Sequence, residues 1–577
     1  MDERGKINWA PVLIVWVVVA AVFGIRTVLQ YHDLPLIGGG DDAARIVTAK
    51  DLLNGQNWFD LVQHRDDAPF GTLMHWSRLI DAPIAALMAI FGPIFGLPVA
   101  ADIAATIWPL LLLLPLLMLE TAIARRLMPA VDLLPAAVLP VISLGIVDEF
   151  RPGRVDHHNA QIVLCLVALC AFIVARDKWR GALAAGLALA TSLAIGLETL
   201  PFVVVAIALM SLYWVFEPER FRLPLIAFAG ALFLGSVAHF FAATAPSRYF
   251  ELSCDMLGTP YLLVLGTSAL AMSLSALLAT RIGNVLLRLA IIGAAGVAGV
   301  ALWVALYPKC LGGPYVFVDP RIVAAMYGDI AEAQGIWRAI AVDPAGGIAL
   351  TIAALAMLPL TAWLAWKTRG EQRIGWLTIL AFLAFADMVM VTQMRGVKFA
   401  AAFAVPAGVY LISAARVFYL KRRDFAGIAA LVGSWLLFAS GAQAVLIGGP
   451  LAQVLPPIEA PTGLVAQTII GSECLEPPYL DKLATLPPGI VMAPIRLGPL
   501  IMHLTPHSIV SAGFHRNNDG TLDVMAFYPG TDAERLAIIA KRHIDYVVSC
   551  GMSLEGSYLE PLSLPGEALQ IYRVRPA

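Results

Sequence analysis

The segment Arg151-Pro-Gly-Arg-Val-Asp156-His157-His158-Asn-Ala-Gln161 places charged and metal-capable side chains directly before an apolar run that continues to residue 175. An apolar run of this kind is close to the roughly 20 residues that cross a bilayer. Ionisable side chains beside a membrane helix usually serve a function, because they are costly to keep there. The segment therefore indicates a functional site at a membrane surface.

Composition indicates that most of the chain lies in a membrane. Of its 577 residues, 59% are hydrophobic and 14% are charged, and the mean hydropathy is +0.78. These values are far too apolar for a soluble globular protein and predict a polytopic protein surrounded by membrane lipids. The formal net charge of −2 lacks the basic excess that nucleic-acid partners require, so that class of function is excluded.

Apolar runs of spanning length recur along the chain and predict about thirteen transmembrane helices. The first run follows Arg4 and Lys6 and is longer than the core of a signal peptide, so we expect an uncleaved helix with a cytoplasmic N-terminus. The predicted spans are residues 9–29, 99–124, 130–148, 158–175, 182–198, 200–216, 223–243, 260–279, 285–306, 344–366, 374–391, 399–415 and 425–446.

The charges of the connecting loops predict which loops face the cytoplasm. Lys and Arg cluster in every second loop, and the positive-inside rule places those loops in the cytoplasm. A further span at Leu79–Leu97 would break this alternation, so we interpret that stretch as a helix on the membrane surface. The external segments are then residues 30–98, 149–157, 244–259, 307–343 and 392–398, together with everything after about Gly448.

The chain thus divides into a polytopic α-helical membrane domain, residues 1–448, and a soluble external domain, residues 449–577. Gly449-Pro450 and Pro456-Pro457 mark the linker, after which the long apolar runs stop. Cys474 and Cys550 are both external and either form a disulfide or remain thiols. The tail predicts a small α/β domain with strands at 489–493, 508–512, 544–549 and 568–574 and a helix at 533–543.

Two candidate sites for chemistry lie in the first external segment. Asp41 and Asp42 follow the turn Gly38-Gly39-Gly40, whose backbone can bend carboxylates toward a ligand. An N-cap would account for one of these acids, but two adjacent carboxylates exceed what capping needs. His75 stands among apolar neighbours, where backbone partners alone could hold it. On the predicted topology these residues face the same side as Asp156.

Asp156 and His158 flank one residue, and this spacing lets a carboxylate oxygen and an imidazole nitrogen approach one ion from a bent backbone. The alternative is a helix cap followed by two solvated histidines. Carboxylates combined with imidazole suit Mn²⁺ or Mg²⁺ better than a structural zinc ion, which prefers thiolates. The segment is therefore a candidate site for one of these two cations.

Two further residues lie in later external segments. Glu332 belongs to a loop that is unusually long for a compact protein, which suggests a cover over an active site, although a solvated surface acid would look the same. Arg395 stands where a helix meets the external face. A guanidinium there suits a phosphate carried by a lipid, while snorkelling to the interface would also explain its position.

Together these residues resemble the single-subunit oligosaccharyltransferase family, within the GT-C class of membrane glycosyltransferases that use polyprenyl-linked sugar donors. The resemblance covers roughly residues 1–450. Asp42 resembles the acid of the family's first external loop, Asp156-His157-His158 its Asp-x-His motif, and Asp329-Ile-Ala-Glu332 its loop glutamate motif. His75 resembles a histidine that some archaeal members place on the metal, and Arg395 resembles an arginine near the donor phosphates.

The resemblance implies a transferase that depends on a divalent cation, Mn²⁺ or Mg²⁺. Such a cation stabilises the negative charge that develops on the leaving phosphate. The residues expected to hold it are Asp42, His75, Asp156, His158 and Glu332. The residues expected to be catalytic are Asp41, Asp42, Asp156 and Glu332, with Asp41 as the candidate base. The residues expected to bind the substrate are Arg395, Arg154 and Lys398.

The chain departs from the family in its tail. The family recognises a peptide acceptor through a Trp-Trp-Asp-Tyr-Gly motif, and this chain has no Trp-Trp pair. We therefore expect transfer from a polyprenyl phosphate or pyrophosphate donor to a lipid or envelope glycan, at the periplasmic face of a bacterial inner membrane. A metal-independent transferase that uses a polyprenyl-monophosphate sugar, and a transporter or flippase of lipid-linked glycans, stay open as alternatives.

Overall fold

The computed structural model combines a helical membrane domain with a small C-terminal α/β domain, which confirms the predicted fold class. The linker prolines Pro456-Pro457 and the motif residue Asp329 lie outside the described part of the chain. The described residues are 7–31, 36, 39–175, 178–278, 283–327, 330–454, 474–551, 553–564 and 567–575.

The helices of the first half of the membrane domain are α1 (Ala10–Tyr31), α2 (Gly40–Leu53), α3 (Arg78–Phe95), α4 (Leu97–Leu127), α5 (Leu134–Ile142), α6 (Leu144–Val147), α7 (His158–Ala175), α8 (Trp179–Ile195), α9 (Leu200–Phe216) and α10 (Pro218–Ala243). Those of the second half are α11 (Thr259–Leu277), α12 (Val285–Leu306), α13 (Pro320–Ile322), α14 (Ile336–Val342), α15 (Pro344–Lys367), α16 (Gly370–Thr392), α17 (Val397–Arg422), α18 (Phe425–Leu436), α19 (Ser440–Gln443) and α20 (Gly449–Val454).

Four connections between these helices carry the site. We call them the first connection (residues 39–96), the second connection (148–157), the third connection (244–258) and the fourth connection (307–335). The third and fourth connections are joined by a disulfide between Cys254 and Cys310. Cys474 and Cys550 in the tail, for which a disulfide was one of two sequence-based alternatives, both remain thiols.

The number of spanning helices is slightly lower than the thirteen that the sequence predicts. Within the described residues, eleven helices are long and apolar enough to cross a membrane, or twelve if the bent pair Phe425–Leu436 and Ser440–Val454 counts as one span. The predicted span 130–148 is broken at Ser143, whose extended backbone separates α5 from α6. α8 has 17 residues, somewhat short of the roughly 20 that cross a bilayer.

α3, interpreted from the sequence as a surface helix, is itself long and apolar enough to span. Gly96 has φ 80°, a conformation that glycine adopts without strain, and it turns the chain between α3 and α4. Ile84 and Met88 of α3 share one buried cluster with Ala101 and Ala104 near the start of α4. α3 thus folds back beside the beginning of the next helix, and its place at the membrane surface stays a prediction.

Small residues allow the membrane helices to pack closely. A Cβ atom at Gly186 of α8 would lie only 2.6 Å from the backbone oxygen of Phe228 in α10, so glycine lets these two helices approach. The core of the domain also contains aromatic rings from α9, α16 and α17. Phe403 packs edge-to-face against both Phe202 and Phe382, with ring centroids 5.4 and 5.5 Å away.

The C-terminal domain contains the strands β3 (Ile490–Met492), β4 (Ser508–Ile509), β5 (Tyr546–Cys550), β6 (Leu559–Pro561) and β7 (Leu569–Val574) and the helices α21 (Asp481–Ala484), α22 (Gly498–Leu504), α23 (Asn518–Phe527) and α24 (Asp532–Arg542). The strands form one mixed sheet in the order β4-β3-β5-β7-β6. β3 pairs in parallel with β4 and β5, and β7 is antiparallel to β5 and β6. All four predicted strands and the predicted helix are present.

The first connection holds the C-terminal domain against the membrane domain. It also contains a two-stranded antiparallel hairpin, β1 (Val62–Gln63) and β2 (Thr72–Leu73). Ile509 donates its backbone N–H to Arg65 O at 2.8 Å, and Ala68 donates to Ile509 O at 3.0 Å, so residues 65–68 extend the sheet beyond β4. The guanidinium of Arg542 pairs with Asp67 at 2.8 Å. These contacts fix the domain over the ends of the membrane helices.

We expect the first connection, the fourth connection and the C-terminal domain to lie on the outer face of the membrane. The background for this test lacks the four native thiols and keeps the disulfide between Cys254 and Cys310. In that background, single cysteines at the exposed positions Phe70, Arg321 and Leu536 should react with an impermeant thiol reagent in intact cells. Cysteines at the exposed positions Lys178 and Arg369 should react only after permeabilisation. Labelling of positions 70 and 321 from opposite sides would contradict this topology.

Candidate active site

A cavity of about 690 Å³ lies between the membrane domain and the C-terminal domain. The first, second and fourth connections, with His158, Glu198 and Arg395, supply its ionic side, and the C-terminal domain supplies a largely apolar side. A cavity of this size with a few converging polar groups is typical of a ligand site. The residues that line it are Gly39, Gly40, Asp41, His75, Trp76, Asp156, His157, His158, Glu198, Tyr315, Met326, Ile330, Glu332, Arg395, Leu475, Glu476, Ile495, Arg496, Pro499, Leu500, Ala512, Gly513, Phe514 and His515.

Asp42, in the first turn of α2, is buried and joins the first connection to the second. Its Oδ1 accepts the backbone N–H groups of Val155 and Asp156 at 2.8 and 2.9 Å. Its Oδ2 pairs with Arg154 Nη1 at 3.0 Å. Both oxygens therefore have protein partners, and Asp42 holds Asp156 in position from behind rather than lining the cavity.

Asp41 faces the cavity instead. Its side chain is exposed to the cavity, and the surrounding protein, which limits its contact with bulk water, together with the negative charges of Asp156, Asp42 and Glu332 raises the pKa of Asp41 to about 7. Successive residues of a helix point about 100° apart, so only one of the two adjacent acids can turn toward the cavity. A carboxyl group with a pKa near neutrality can accept and release a proton under physiological conditions.

Asp156 and both histidines of the second connection lie together at the start of α7. Asp156 Oδ1 is 2.6 Å from His157 Nδ1, and its Oδ2 is 3.5 Å from His158 Nε2. Burial alone would raise the pKa of Asp156, but His157, His158 and Arg45 hold that pKa well below its usual range. Asp156 is therefore a carboxylate at neutral pH.

Glu198, which precedes α9, contacts both histidines. Its Oε2 is 3.0 Å from His157 Nε2 and 3.0 Å from His158 Nδ1. Burial opposes a charge on His157, yet Asp156 and Glu198 raise the pKa of His157 to about 10. His157 thus lies as an imidazolium between two carboxylates, and the Nε2 atom of His158 faces Asp156 and the cavity.

Glu332 and Arg395 complete the ionic side of the cavity. Glu332 Oε2 is 3.9 Å from His158 Nε2, and its Oε1 is 3.9 Å from Arg395 Nη2. Arg395 Nη1 is 3.8 Å from Glu198 Oε1. Arg395 therefore stands between two acids inside the cavity, at distances that leave room for a ligand to join them.

The other two predicted substrate-binding residues lie behind the cavity wall. Arg154 pairs with Glu149 at 2.8 Å as well as with Asp42, and Lys398 pairs with Glu149 at 3.0 Å. The positive charges of Lys398 and Arg154 outweigh the effect of burial and lower the pKa of Glu149. These three side chains form a buried ionic group that supports the second connection and the start of α17.

His75 lines the cavity but groups with different residues from those of the second connection. A ligand atom of His75 lies within 4.8 Å of ligand atoms of Asp255 and His515, whereas a separate group of this kind contains Asp156, His157 and His158. Burial and the neighbouring His515 lower the pKa of His75 well below its usual value. Of the five residues expected to hold one cation, Asp156, His158 and Glu332 therefore lie together at the cavity floor. Asp42 lies behind them, and His75 groups with Asp255 and His515 instead.

The donor set at the floor fits a hard divalent cation. Neighbouring ligand atoms around an octahedral Mg²⁺ lie about 3 Å apart, because each bond is about 2.1 Å. Asp156 Oδ2 and Glu332 Oε2 are 3.5 and 3.9 Å from His158 Nε2, so small side-chain movements would bring all three onto one ion. Glu198 Oε2 lies 3.0 Å from the other nitrogen of His158, at the place where metal-binding histidines usually have a carboxylate partner, but the two atoms are not aligned for a hydrogen bond in this structure.

Sequence reasoning missed Glu198 and Glu149 as parts of the site. Glu198 stands in an apolar run close to a helix end, and an acid in such a position is itself a signal of a buried partner. Glu149 precedes the Asp-x-His segment and looked like an ordinary loop acid. Only the folded arrangement shows that Lys398 from a distant helix neutralises it.

No protein-family model and no curated protein matches the chain. Among solved structures, the chain is similar to the archaeal oligosaccharyltransferase AglB from Archaeoglobus fulgidus in complex with an inhibitory peptide and a dolichol-phosphate. The TM-score is 0.62, and the identity is 13% over 93% of this chain and 69% of that chain. The same enzyme tethered with an acceptor peptide gives a TM-score of 0.64 at 13% identity over 95% and 70% of the two chains. Its complex with Zn and sulfate gives 0.59 at 14% identity over 92% and 67%.

Identity at this level establishes a common fold. The likeness extends over nearly the whole chain, so it includes the helical domain and the C-terminal domain together. The chain therefore has the GT-C fold of the membrane glycosyltransferases, as its motifs implied.

Proposed function

We propose that the protein transfers a sugar or oligosaccharide from a polyprenyl phosphate or pyrophosphate donor to an acceptor, at the periplasmic face of a bacterial inner membrane. The main support for this proposal is that five ionisable residues from four separate parts of the chain line one cavity. They are Asp41, Asp156, His158, Glu332 and Arg395. The solved structure with the same fold holds a dolichol-phosphate, a polyprenyl phosphate.

Asp156, His158 and Glu332 would hold Mn²⁺ or Mg²⁺. When bound, such a cation stabilises the negative charge on a leaving phosphate. Asp42 is assigned a structural role, because its oxygens already bind Arg154 and the backbone of the second connection. His75 is assigned to the separate group with Asp255 and His515. The set of cation ligands proposed here is therefore smaller than the set that the family resemblance implies.

Arg395 is the group that meets the donor phosphate. It lines the cavity, and the 3.8 and 3.9 Å separations from Glu198 and Glu332 are looser than direct hydrogen bonds. A phosphate oxygen can therefore compete for its N–H groups, and a guanidinium binds phosphate in a fixed two-point geometry. Arg154 acts at a distance, by balancing the charge of Glu149 beneath the site, whereas Lys398 pairs with Glu149 and also lies 3.8 Å from Glu332 Oε2.

Asp41 is the proposed base. The hydroxyl oxygen of the acceptor attacks the anomeric carbon of the sugar, and the bond between that carbon and the phosphate oxygen breaks. The phosphate leaves with the electron pair, and the hydroxyl proton passes to Asp41. The raised pKa of Asp41, about 7, suits this exchange because the group can take up the proton and release it again at neutral pH.

The proposed acceptor is a lipid or envelope glycan rather than a peptide. The chain has no Trp-Trp pair of the kind with which the resembled family binds its peptide. A membrane-bound acceptor needs less of a clamp, because the bilayer already confines it to the surface where the cavity opens. The polyprenyl donor is confined in the same way, and both substrates would reach the cavity from the membrane.

Replacement of one proposed cation ligand tests the reaction. In liposomes that contain a polyprenyl phosphate sugar and native membrane lipids, Asp156→Asn should lower turnover by about two orders of magnitude or more, because it removes a charge that acts on the transition state. Excess EDTA should have a similar effect on the wild type. Asp132→Asn, at an exposed acid paired with Arg416, should stay within about twofold of the wild type. Full activity in EDTA would instead favour a metal-independent transferase.

Replacement of Glu198 tests how His158 is held. Glu198→Gln keeps the side-chain volume but weakens the contact with the Nδ1 atom of His158, so Mn²⁺ affinity measured by electron paramagnetic resonance should fall about 10- to 100-fold. Glu371→Gln, at an exposed acid paired with Arg126, serves as the matched control and should not change the affinity. Equal Mn²⁺ affinity in the wild type and Glu198→Gln would show that Glu198 does not support the cation site.

A further inference from the structure

A second group of polar side chains lies beside the cavity, separate from the proposed cation ligands. His75 comes from the first connection, Asp255 from the third and His515 from the C-terminal domain, and the ring centroids of the two histidines are 4.4 Å apart. Three distant parts of the chain are thus brought together in a place that the proposed reaction does not yet use. Such convergence needs an explanation beyond packing, because these groups are polar and partly buried.

Asp255 acts as the anchor of this group. Its Oδ2 accepts from His515 Nε2 and from Arg516 Nε, both at 2.7 Å, and its Oδ1 accepts from Arg516 Nη2 at 2.7 Å. A carboxylate engaged in this way by a guanidinium is poorly placed to bind a cation as well. With Asp255 occupied, His75 and His515 supply only two ligands, fewer than the three or four of a zinc site.

The anchor leaves one ring nitrogen of His515 and both ring nitrogens of His75 available to a ligand. Asp255 fixes the ring of His515 through Nε2, and within the described residues the structure gives no hydrogen-bond partner to its Nδ1 atom or to either ring nitrogen of His75. Both side chains line the cavity. An imidazole nitrogen either donates to a hydroxyl group or accepts from it, so two such rings can bind neighbouring hydroxyl groups.

Aromatic rings border the two histidines. Phe514 packs edge-to-face on Trp76 with centroids 5.2 Å apart, and Tyr315 meets the ring of His515 at 5.4 Å. Arg395 Nη2 lies 3.5 Å from the Tyr315 hydroxyl group, so this wall adjoins the place proposed for the donor phosphate. Trp76 and Phe514 line the cavity but are only 5% and 8% exposed, so they give the two histidines a small apolar border. Hydroxyl-binding nitrogens beside such a border match a sugar, which has hydroxyl edges and apolar C–H faces.

We propose that His75, Trp76, Phe514 and His515 form the acceptor subsite and bind a sugar ring of the acceptor. This inference rests on the proposed function and names its acceptor class as a saccharide. Acidic side chains at the floor, including Asp156, Glu198 and Glu332, disfavour an anionic acceptor. Two cations adjoin these residues, and both are paired with acids: Arg516 with Asp255, and Arg45, 4.1 Å from the Trp76 ring, with Asp81.

The contacts of the C-terminal domain keep this subsite rigid. Asp66 of the first connection accepts the backbone N–H of Ala512 at 2.9 Å and the Nδ2 group of Asn517 at 3.1 Å. The segment 513–516 is therefore fastened on both sides, and the pair between Asp255 and Arg516 adds a third point. A fixed subsite loses little entropy on binding, so the identity of these residues can select the acceptor.

Two matched histidine variants test the subsite. Gln can place its amide near the Nε2 position, so His515→Gln keeps the contact with Asp255 but removes the nitrogen that faces the cavity. His75→Phe keeps the ring and removes both nitrogens. The probes are a radiolabelled polyprenyl phosphate sugar as donor and a panel of short-chain alkyl glycosides of hexoses and N-acetylhexosamines as acceptors. His64→Gln, at an exposed histidine paired with Asp60, is the control.

We expect the wild type to glycosylate at least one glycoside and to leave an Asn-x-Thr peptide unmodified. Each subsite variant should raise the KM for that glycoside about tenfold, because one hydrogen bond to the acceptor is lost, with kcat changed less than threefold. The KM for the donor and the melting temperature should match those of the control. A subsite that holds the acceptor without taking part in the chemistry predicts this separation of KM from kcat.

Three results would overturn the inference. They are an unchanged glycoside KM in both variants, transfer to the peptide but to no glycoside, and Zn²⁺ binding that is lost in His75→Phe. Consumption of the donor with transfer to water alone would also overturn it while leaving the proposed function in place. Failure of the wild type to consume any polyprenyl phosphate sugar would contradict the proposed function itself, so the two failures are distinguishable.

Discussion

The Asp42 carboxylate binds the backbone of Val155 and Asp156 and the guanidinium of Arg154, and the geometry of the cavity depends on this contact. It joins the first connection to the second through residues that are more than a hundred positions apart in the chain. With Asp42 held there, the preceding Asp41 turns into the cavity and Asp156 faces His158. Removal of one partner from such a buried, charge-assisted group is costly, because the others are left without compensation.

Buried charges are balanced in pairs throughout the site, and each pair links separate elements. Arg45 contacts Asp81 of α3 at 2.9 Å and Asp156 at 3.4 Å. Lys398 of α17 balances Glu149, and Asp255 balances Arg516 of the C-terminal domain. Charged groups at the edge of a membrane domain are tolerated only when they are compensated in this way. Three charged groups are not paired tightly in this way. Arg395 and Glu332 have only loose contacts, and the pKa of Asp41 is near neutrality. These are the groups that the reaction would use.

Local sequence features predicted the parts of the fold that depend on local composition. Spanning helices follow from long apolar runs, and the strands of the tail follow from short apolar runs between turns. The span at 130–148 was not predicted correctly, because the break at Ser143 leaves no mark on hydropathy. In the same way, the Asp-x-His segment was evident from its residue types, whereas the choice between Asp41 and Asp42 depends on helix rotation. The partnership of His75 with His515 joins residues 440 positions apart, which no local pattern can show.

The most direct test of the account is a cryo-electron microscopy structure of the protein in lipid nanodiscs with Mn²⁺ and a polyprenyl phosphate. The account predicts density for one ion bound by Asp156 Oδ2, His158 Nε2 and Glu332, with the phosphate between that ion and Arg395. Asp42 should keep its contacts with Arg154 and the second connection. An ion bound between His75 and His515 instead, or a phosphate outside the cavity, would contradict the account.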